Sequence, residues 1–78
     1  MRAEDQFGKI IDFKKGDIIV DVSDSAGVIK DVIKVKNSYS KKGYSIFLKV
    51  YFFSGSYKSD DIETIPSYVA RKVKVRIV

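Results

Sequence analysis

Alternating hydrophobic and polar positions over residues 44–53 form the strongest pattern in the chain. A β-strand places alternate residues on opposite faces, so this segment has two distinct sides. One face carries Tyr44, Ile46, Leu48, Val50 and Phe52. The other face carries Ser45, Phe47, Lys49, Tyr51 and Phe53. The pattern predicts a central strand with one regular apolar face and one mixed face of aromatic residues and lysine.

Two further strands are predicted before this one. Residues 18–22 follow the turn signal Lys14-Lys15-Gly16-Asp17 and place Ile18, Val20 and Val22 on one face. Residues 28–36 form a longer extended segment in which neither face is uniformly apolar. A bulge or a strong bend is therefore expected in that strand.

The last third of the chain predicts a short strand around residues 56–58, a turn, and a final strand over residues 69–78. Residues 59–63 are predicted to form a capped 3₁₀ turn, because Ser and Asp are good helix caps. Capping also explains the acidic residues of this segment better than a cation site does; these are Asp60, Asp61 and Glu63. Pro66 is expected at an edge or a turn, since proline has no backbone N–H.

Residues 1–12 have no clear period, and we expect an N-terminal arm or a short strand there. The remaining residues, 13–78, predict one all-β domain of five strands with one short 3₁₀ turn before the last strand. A sheet this small avoids exposed edges by curling into a barrel. Composition supports the all-β class: among 78 residues there are ten Val and ten Ile but a single Leu, and β-branched residues favour sheet.

Four short segments carry a resemblance to a known family. They are Lys15-Gly16-Asp17-Ile18-Ile19-Val20, Ala26-Gly27-Val28-Ile29, Leu48-Lys49-Val50-Tyr51-Phe52 with Gly55, and Asp61-Ile62-Glu63-Thr64-Ile65. Together they resemble SH3-like small barrels, and the closer likenesses are the KOW and Tudor domains. In those domains a Gly-Asp pair opens the first strand, a Gly opens the second, and a helical turn precedes the last. The resemblance implies a single five-stranded SH3-like barrel.

The two subfamilies imply different functions. KOW-like barrels mostly bind RNA, ribosomes or RNA polymerase, and the loop that corresponds to their contact loop is Ser23–Gly27. This loop carries Asp24 and no basic residue, which departs from a phosphate-binding version. Tudor-like barrels hold a methylated Lys or Arg in an aromatic cage by cation–π attraction. The aromatic residues near the corresponding wall are Tyr51, Phe53 and Tyr57.

Positive charge is concentrated in the middle of the chain. The net charge is +5, and residues 27–58 hold seven lysines with Asp31 as the one acidic residue. Such a block attracts phosphate backbones or acidic partners. Alternation places three cations of the last strand on one face, and lysines 34 and 36 extend this patch if their strand lies beside it. The candidate nucleic-acid-binding residues are Lys34, Lys36, Lys41, Lys42, Lys72, Lys74 and Arg76. A solvated loop tip and an aggregation-blocking edge strand are the alternative interpretations.

Aromatic residues form a second candidate surface. Their rings can stack on nucleic-acid bases or anchor a protein partner. The alternative is that this face is buried under the N-terminal arm or a partner subunit. The candidate aromatic residues are Tyr39, Tyr44, Phe47, Tyr51 and Phe53.

The chain contains no Cys and no His, so it offers no disulfide, no thiolate nucleophile and no imidazole base. We therefore expect a non-catalytic binding module without a metal or cofactor, as a monomer or small homo-oligomer. Neither a long apolar segment nor a signal-peptide pattern occurs, so a cytoplasmic location without membrane contact is expected. Nucleic-acid binding with weak sequence preference is the leading hypothesis. The alternative is an accessory subunit that docks on a larger assembly, such as a polymerase or a ribosome, through its aromatic face.

Overall fold

Seven β-strands and one 3₁₀ turn make up the part of the chain, residues 1–74, that the computed structural model describes. The strands are β1 (Arg2–Glu4), β2 (Ile10–Asp12), β3 (Ile18–Asp21), β4 (Ala26–Lys36), β5 (Tyr44–Ser54), β6 (Ile62–Pro66) and β7 (Ala70–Val73). The 3₁₀ turn spans Ser67–Val69 and directly precedes β7. The all-β class and the 3₁₀ turn before the last strand are confirmed.

Five strands form one antiparallel sheet in the order β6-β5-β4-β3-β7. Strands β3 to β6 are joined by successive hairpins, and β7 returns to pair with β3 at the other side. The register of β4 and β5 shifts at Ala26/Gly27 and again at Ile29/Asp31, so the predicted irregularity of the long strand is confirmed. At the first shift the strands approach closely: a Cβ on Gly27 would lie 2.5 Å from Val50 Cγ1.

The apolar face of β5 forms the centre of the core, as its alternation predicts. Leu48, Val50 and Phe52 are fully buried, and Ile46 is nearly so. The N-terminal segment also belongs to this core, because β1 and β2 form a hairpin that brings Ala3 inside, with Phe13 following β2. The core residues are Ala3, Phe13, Ile19, Ile29, Ile46, Leu48, Val50, Phe52 and Ala70.

Two local predictions between residues 56 and 66 are wrong. Residues 56–58 are a turn rather than a strand, and the 3₁₀ turn lies at Ser67–Val69 rather than at residues 59–63. Residues 62–66 instead form β6, which pairs with β5 over Tyr51↔Ile62 to Phe47↔Pro66. Because β6 is an edge strand among the described residues, Pro66 is tolerated at its end without loss of a ladder hydrogen bond.

Strand β3 presents its less hydrophobic face to the core. Ile19 is fully buried and Asp21 is 2% exposed, whereas Ile18 and Val20 are half-buried on the opposite, outer face. The Asp21 carboxylate is satisfied inside because Oδ1 accepts hydrogen bonds from Ser23 N (3.0 Å), Ser23 Oγ (2.7 Å) and Ser25 N (3.0 Å). A buried polar group is stable when its hydrogen bonds are made in this way. The more apolar side of β3 is consequently left on the outer surface.

Candidate functional site

The far end of the β4–β5 hairpin is a two-stranded ribbon that extends beyond the sheet. Strand β3 pairs with β4 only at residues 26–28, and β6 pairs with β5 only at residues 47–51. Within residues 1–74, residues 34–46 therefore pair only with one another, and we call this segment the basic ribbon. It carries four of the predicted cations, and residues 32–59 contain no Asp or Glu. These cations are Lys34, Lys36, Lys41 and Lys42.

The loop of the basic ribbon is held by its own hydrogen bonds. The Asn37 N–H donates to the Gly43 carbonyl (3.0 Å), and the Tyr39 N–H donates to Asn37 Oδ1 (3.0 Å). Asn37 Nδ2 also donates to Ser45 Oγ (2.8 Å), which joins the loop to β5. The ring of Tyr39 is 99% exposed at the tip. The hydrogen-bonded loop thus carries an aromatic ring that no other part of residues 1–74 covers.

The ribbon lysines keep their charge available. Lys34 Nζ lies 3.9 Å from the centroid of the Tyr44 ring, a cation–π contact, and Lys36 is directly opposite Tyr44 across the two strands. The ion pairs found within residues 1–74 involve the Met1 ammonium, Lys14 and Lys72. None of them includes a lysine of the basic ribbon, so these charges face solvent without a carboxylate partner among the described residues.

An open groove of about 470 Å³ runs beside the ribbon. Its walls come from β1, from the ribbon loop, from the start of β5 and from the 3₁₀ turn. We call it the basic groove and define it by Arg2, Lys41, Lys42, Tyr44, Phe47 and Tyr68. No sequence pattern indicated Arg2 or Tyr68, because both reach the groove only through the packing of the N-terminal hairpin beside the 3₁₀ turn.

The cations of the last strand lie apart from the ribbon. Strand β3 separates β7 from β4, so Lys34 and Lys36 do not extend the β7 patch. Lys72 is engaged internally: its ammonium lies 3.0 Å from Asp17 Oδ2 and donates to the Asp12 carbonyl. Lys74 is exposed, and Arg76 lies outside the described residues. The structure thus divides the six predicted cations that it describes into two groups rather than one patch.

The outer face of the sheet carries an apolar row that crosses all five strands. The register places five residues side by side on this face, and neighbouring strands about 4.8 Å apart make the row about 19 Å long. Tyr51 is half-buried, and the nearby Phe53 is 42% exposed. The N-terminal hairpin packs on the core side, where Ala3 is a core residue and Ile11 packs against the core. We call it the outer row; its members are Val73, Ile18, Val28, Tyr51 and Ile62.

The turn that the KOW resemblance marks as a contact loop is tied into the fold. Ser25 Oγ accepts a hydrogen bond from the Tyr57 N–H (3.0 Å), and a Cβ on Gly55 would lie 2.5 Å from Ser25 Cα. Tyr57 in turn packs on the buried Phe52, with ring centroids 5.8 Å apart. Tyr57 therefore lies on the core side, whereas Tyr51 belongs to the outer row. The aromatics that the Tudor resemblance brings together thus lie on different sides of β5.

One titrating group marks the contact between the Met1 ammonium and β2 of the N-terminal hairpin. The Met1 ammonium lies 2.7 Å from Asp12 Oδ1, and Lys14 Nζ lies 3.4 Å from Asp12 Oδ2. The hydrogen bond from the ammonium, aided by the charge of Lys14, lowers the pKa of the Asp12 carboxyl. Because this group is exposed, it belongs to the anchoring of the hairpin rather than to a reactive site.

Within residues 1–74 no three acidic side chains converge in a way that would hold a metal ion. Over the same residues, no helix has the length and apolarity to cross a membrane. Comparisons with models of protein families, with curated proteins and with solved structures found no match to this chain.

Proposed function

We propose that this chain is a non-catalytic nucleic-acid-binding module that contacts the phosphate backbone through the basic ribbon. The observation that carries the proposal is the ribbon itself: four lysines on a two-stranded element that extends past β3 and β6, free of carboxylate partners within residues 1–74. Lysines that neutralise phosphates release condensed counterions, which drives binding without reading the base sequence. Weak sequence preference follows from this mode of contact.

The test is the salt dependence of binding to an oligonucleotide. Because each neutralised phosphate adds roughly 0.7 (single strand) to 0.9 (duplex) to the slope of log K against log salt, the variant Lys41→Ala/Lys42→Ala should flatten that slope by about 1.4 to 1.8. The matched control is Lys15→Ala/Lys58→Ala, which removes two exposed lysines outside the ribbon. An equal loss of slope in both variants would mean that net charge, not the ribbon, drives binding.

The same proposal includes the finer fold, an SH3-like barrel formed by the five-stranded sheet. Three observations support it: Gly16-Asp17 directly precedes β3, Gly27 lies near the start of β4, and the 3₁₀ turn precedes β7. The return of β7 also supports it, because it places the last strand beside β3, the first strand of the sheet. An experimental structure in which the sheet stays flat and open would reject the barrel.

A second function, docking on a larger protein assembly, is favoured by the outer row. Exposed apolar patches of this kind mark protein interaction sites when they are contiguous. Phe53→Ala should then abolish capture of the partner from nuclease-treated extract, whereas Lys41→Ala/Lys42→Ala should leave capture intact. Capture that disappears with nuclease would instead assign the interaction to nucleic acid.

A further inference from the structure

We propose that the basic groove holds an unpaired nucleotide, so that the chain binds single-stranded nucleic acid in preference to duplex. The inference rests on the proposed function and names its substrate class. It assigns the groove, rather than the ribbon tip, as the place where a base is held. The basis is the combination of cations and an exposed aromatic ring around one cavity.

The groove supplies the two kinds of contact that single strands need. Arg2, Lys41 and Lys42 line it from two directions and can neutralise the phosphates on either side of a nucleotide. Tyr68 also lines it, and its side chain is 61% exposed, so a ring face is free to receive a base. Single-strand binders combine a positively charged groove with aromatic rings in this way.

Tyr68 is held in place by its neighbours rather than by burial of its own ring. It lies in the 3₁₀ turn Ser67–Val69, and Ser67 Oγ donates a hydrogen bond to the Glu4 carbonyl (2.8 Å). The Gln6 N–H donates to the Ala70 carbonyl (2.9 Å) on the other side of the turn. A ring on such a fixed turn loses little conformational freedom when a base stacks on it, which favours binding.

The groove has room for one extruded base. About 470 Å³ lies in the range of pockets that enclose small ligands. In a duplex each base is stacked on its neighbours, so a face reaches Tyr68 only after the base is unstacked, which costs free energy. The Tyr44 ring contributes less, because Lys34 already occupies one of its faces.

Substitution of Glu4 tests the proposal, because the charge of its carboxylate sets the direction in which the affinity for a single strand should change. Of the described residues that line the groove, Glu4 alone is acidic. A phosphate in the groove is repelled by this carboxylate, so Glu4→Gln should tighten binding of a single strand. The side chain is exposed, and the hydrogen bond to Ser67 uses the Glu4 backbone carbonyl, so the substitution leaves the fold intact.

The experiment measures the affinity of the full chain for labelled oligo-dT and oligo-U of about 12 nucleotides and for a duplex of the same length. Tyr68→Ala should weaken single-strand binding by about 5- to 150-fold and leave duplex binding unchanged. Tyr68→Phe retains the stacking ring and should bind as the wild type does. The two single strands separate a requirement for the 2′-hydroxyl from simple stacking.

The outcomes distinguish failure of the groove assignment from failure of the proposed nucleic-acid-binding function. Wild-type preference for duplex, or unchanged single-strand binding in both Tyr68→Ala and Glu4→Gln, overturns the groove assignment while ribbon-dependent binding stands. Absence of binding to any of the three probes at low salt overturns the proposed function as well. Weaker single-strand binding by Tyr68→Ala, wild-type binding by Tyr68→Phe and tighter binding by Glu4→Gln together establish that the groove holds the nucleotide.

Discussion

Lysine residues have two different roles in this chain, and their surroundings decide which. The ribbon lysines have no carboxylate within ion-pair distance among residues 1–74, whereas Lys72 lies between the Asp17 carboxylate and the Asp12 carbonyl. In the sequence, the ribbon lysines Lys34 and Lys36 and the last-strand Lys72 all lie in alternating basic segments. The sequence could not show that Asp17, far away in the chain, would lie beside Lys72, because this contact depends on the pairing of β7 with β3.

Lys72 is therefore expected to matter for stability more than for binding. Lys72→Met keeps most of the aliphatic stem but removes the ion pair, and a pair this exposed contributes at most about 1 kcal/mol to the free energy of unfolding. Urea unfolding should show the loss at low salt and a smaller loss at high salt. The slope of log K against log salt for nucleic-acid binding should stay at the wild-type value. A slope shallower by about one unit would show that Lys72 contacts a phosphate.

Asp12 predicts a pH dependence of stability with a definite sign. The Met1 ammonium lowers the pKa of Asp12 in the folded chain, so the folded state binds this proton less readily than the unfolded state does. The stabilisation is present above the ordinary pKa of aspartate and is lost as the pH falls through the lower folded value. Between pH of about 5 and about 2, wild-type stability should fall more steeply than that of Asp12→Asn. If the free energy of unfolding falls equally with pH in the wild type and in Asp12→Asn, the ammonium contact contributes nothing to stability in solution.

At the scale of the elements, the strands that alternate regularly are those the sequence predicts well. Strand β5 alternates without interruption, and its apolar face is buried from Ile46 to Phe52, with Tyr44 half-buried at the edge of the core. Strand β3 is short and contains Asp21, whose burial depends on N–H and O–H groups that its own turn supplies. Strand β6 was missed because local capping signals at Asp60 and Asp61 favoured a turn, whereas pairing with β5 decides the conformation.

Gly27 tests the close approach of β4 and β5. Its φ is not in the left-handed region, but a Cβ there would lie 2.5 Å from Val50 Cγ1 and 2.7 Å from the Tyr51 carbonyl oxygen. Gly27→Ala should therefore destabilise the chain by roughly 1–3 kcal/mol, as overpacking of a core does. The comparison is Gly43→Ala, where φ is +78° but no atom lies within 4 Å of the added Cβ. Guanidinium unfolding that ranks Gly43→Ala as the costlier change would contradict this account of the bulge.

Asn37 tests whether the ribbon loop is preformed for binding. Its side chain joins Tyr39 N to Ser45 Oγ, and Asn37→Ala removes both hydrogen bonds without changing any charge. We expect a loss of about 1 kcal/mol and faster amide exchange over residues 38–42. Affinity for an oligonucleotide should fall while the salt slope is retained, since the lysines remain. Unchanged affinity together with faster exchange would mean that the loop's order does not contribute to binding.

At the scale of the whole molecule, the candidate surfaces are assembled from segments that the sequence places far apart. The basic groove needs Arg2 from the first strand, the ribbon loop from the middle and Tyr68 near the end. The hydrogen bond from Ser67 Oγ to the Glu4 carbonyl joins residues 63 positions apart, and it fixes one wall of the groove against another. Periodicity predicts the faces of single strands, but it does not say which turns lie side by side.

The basic ribbon and the outer row lie on different parts of the β4–β5 hairpin, which makes their functions separable. The ribbon comprises residues 34–46, whereas Val28, Tyr51 and Phe53 lie near the other end of the same two strands. Sites that share no contact act additively. Phe53→Ala should therefore leave the salt slope for nucleic acid unchanged, and Lys41→Ala/Lys42→Ala should leave protein capture unchanged.

The combined variant decides whether the two surfaces act on one partner or on two. If nucleic acid and protein bind independently, the change in binding free energy of the combined variant equals the sum of the separate changes within about 0.5 kcal/mol for each partner, measured by titration. If one ribonucleoprotein assembly covers both surfaces, each change weakens the other contact, because linked sites share an effective concentration. One assembly is favoured if the two changes add when the oligonucleotide or the protein is titrated alone, but each change weakens the other contact when the assembled ribonucleoprotein is titrated. Mutual loss with the isolated oligonucleotide would instead show that the outer row supports the ribbon's structure.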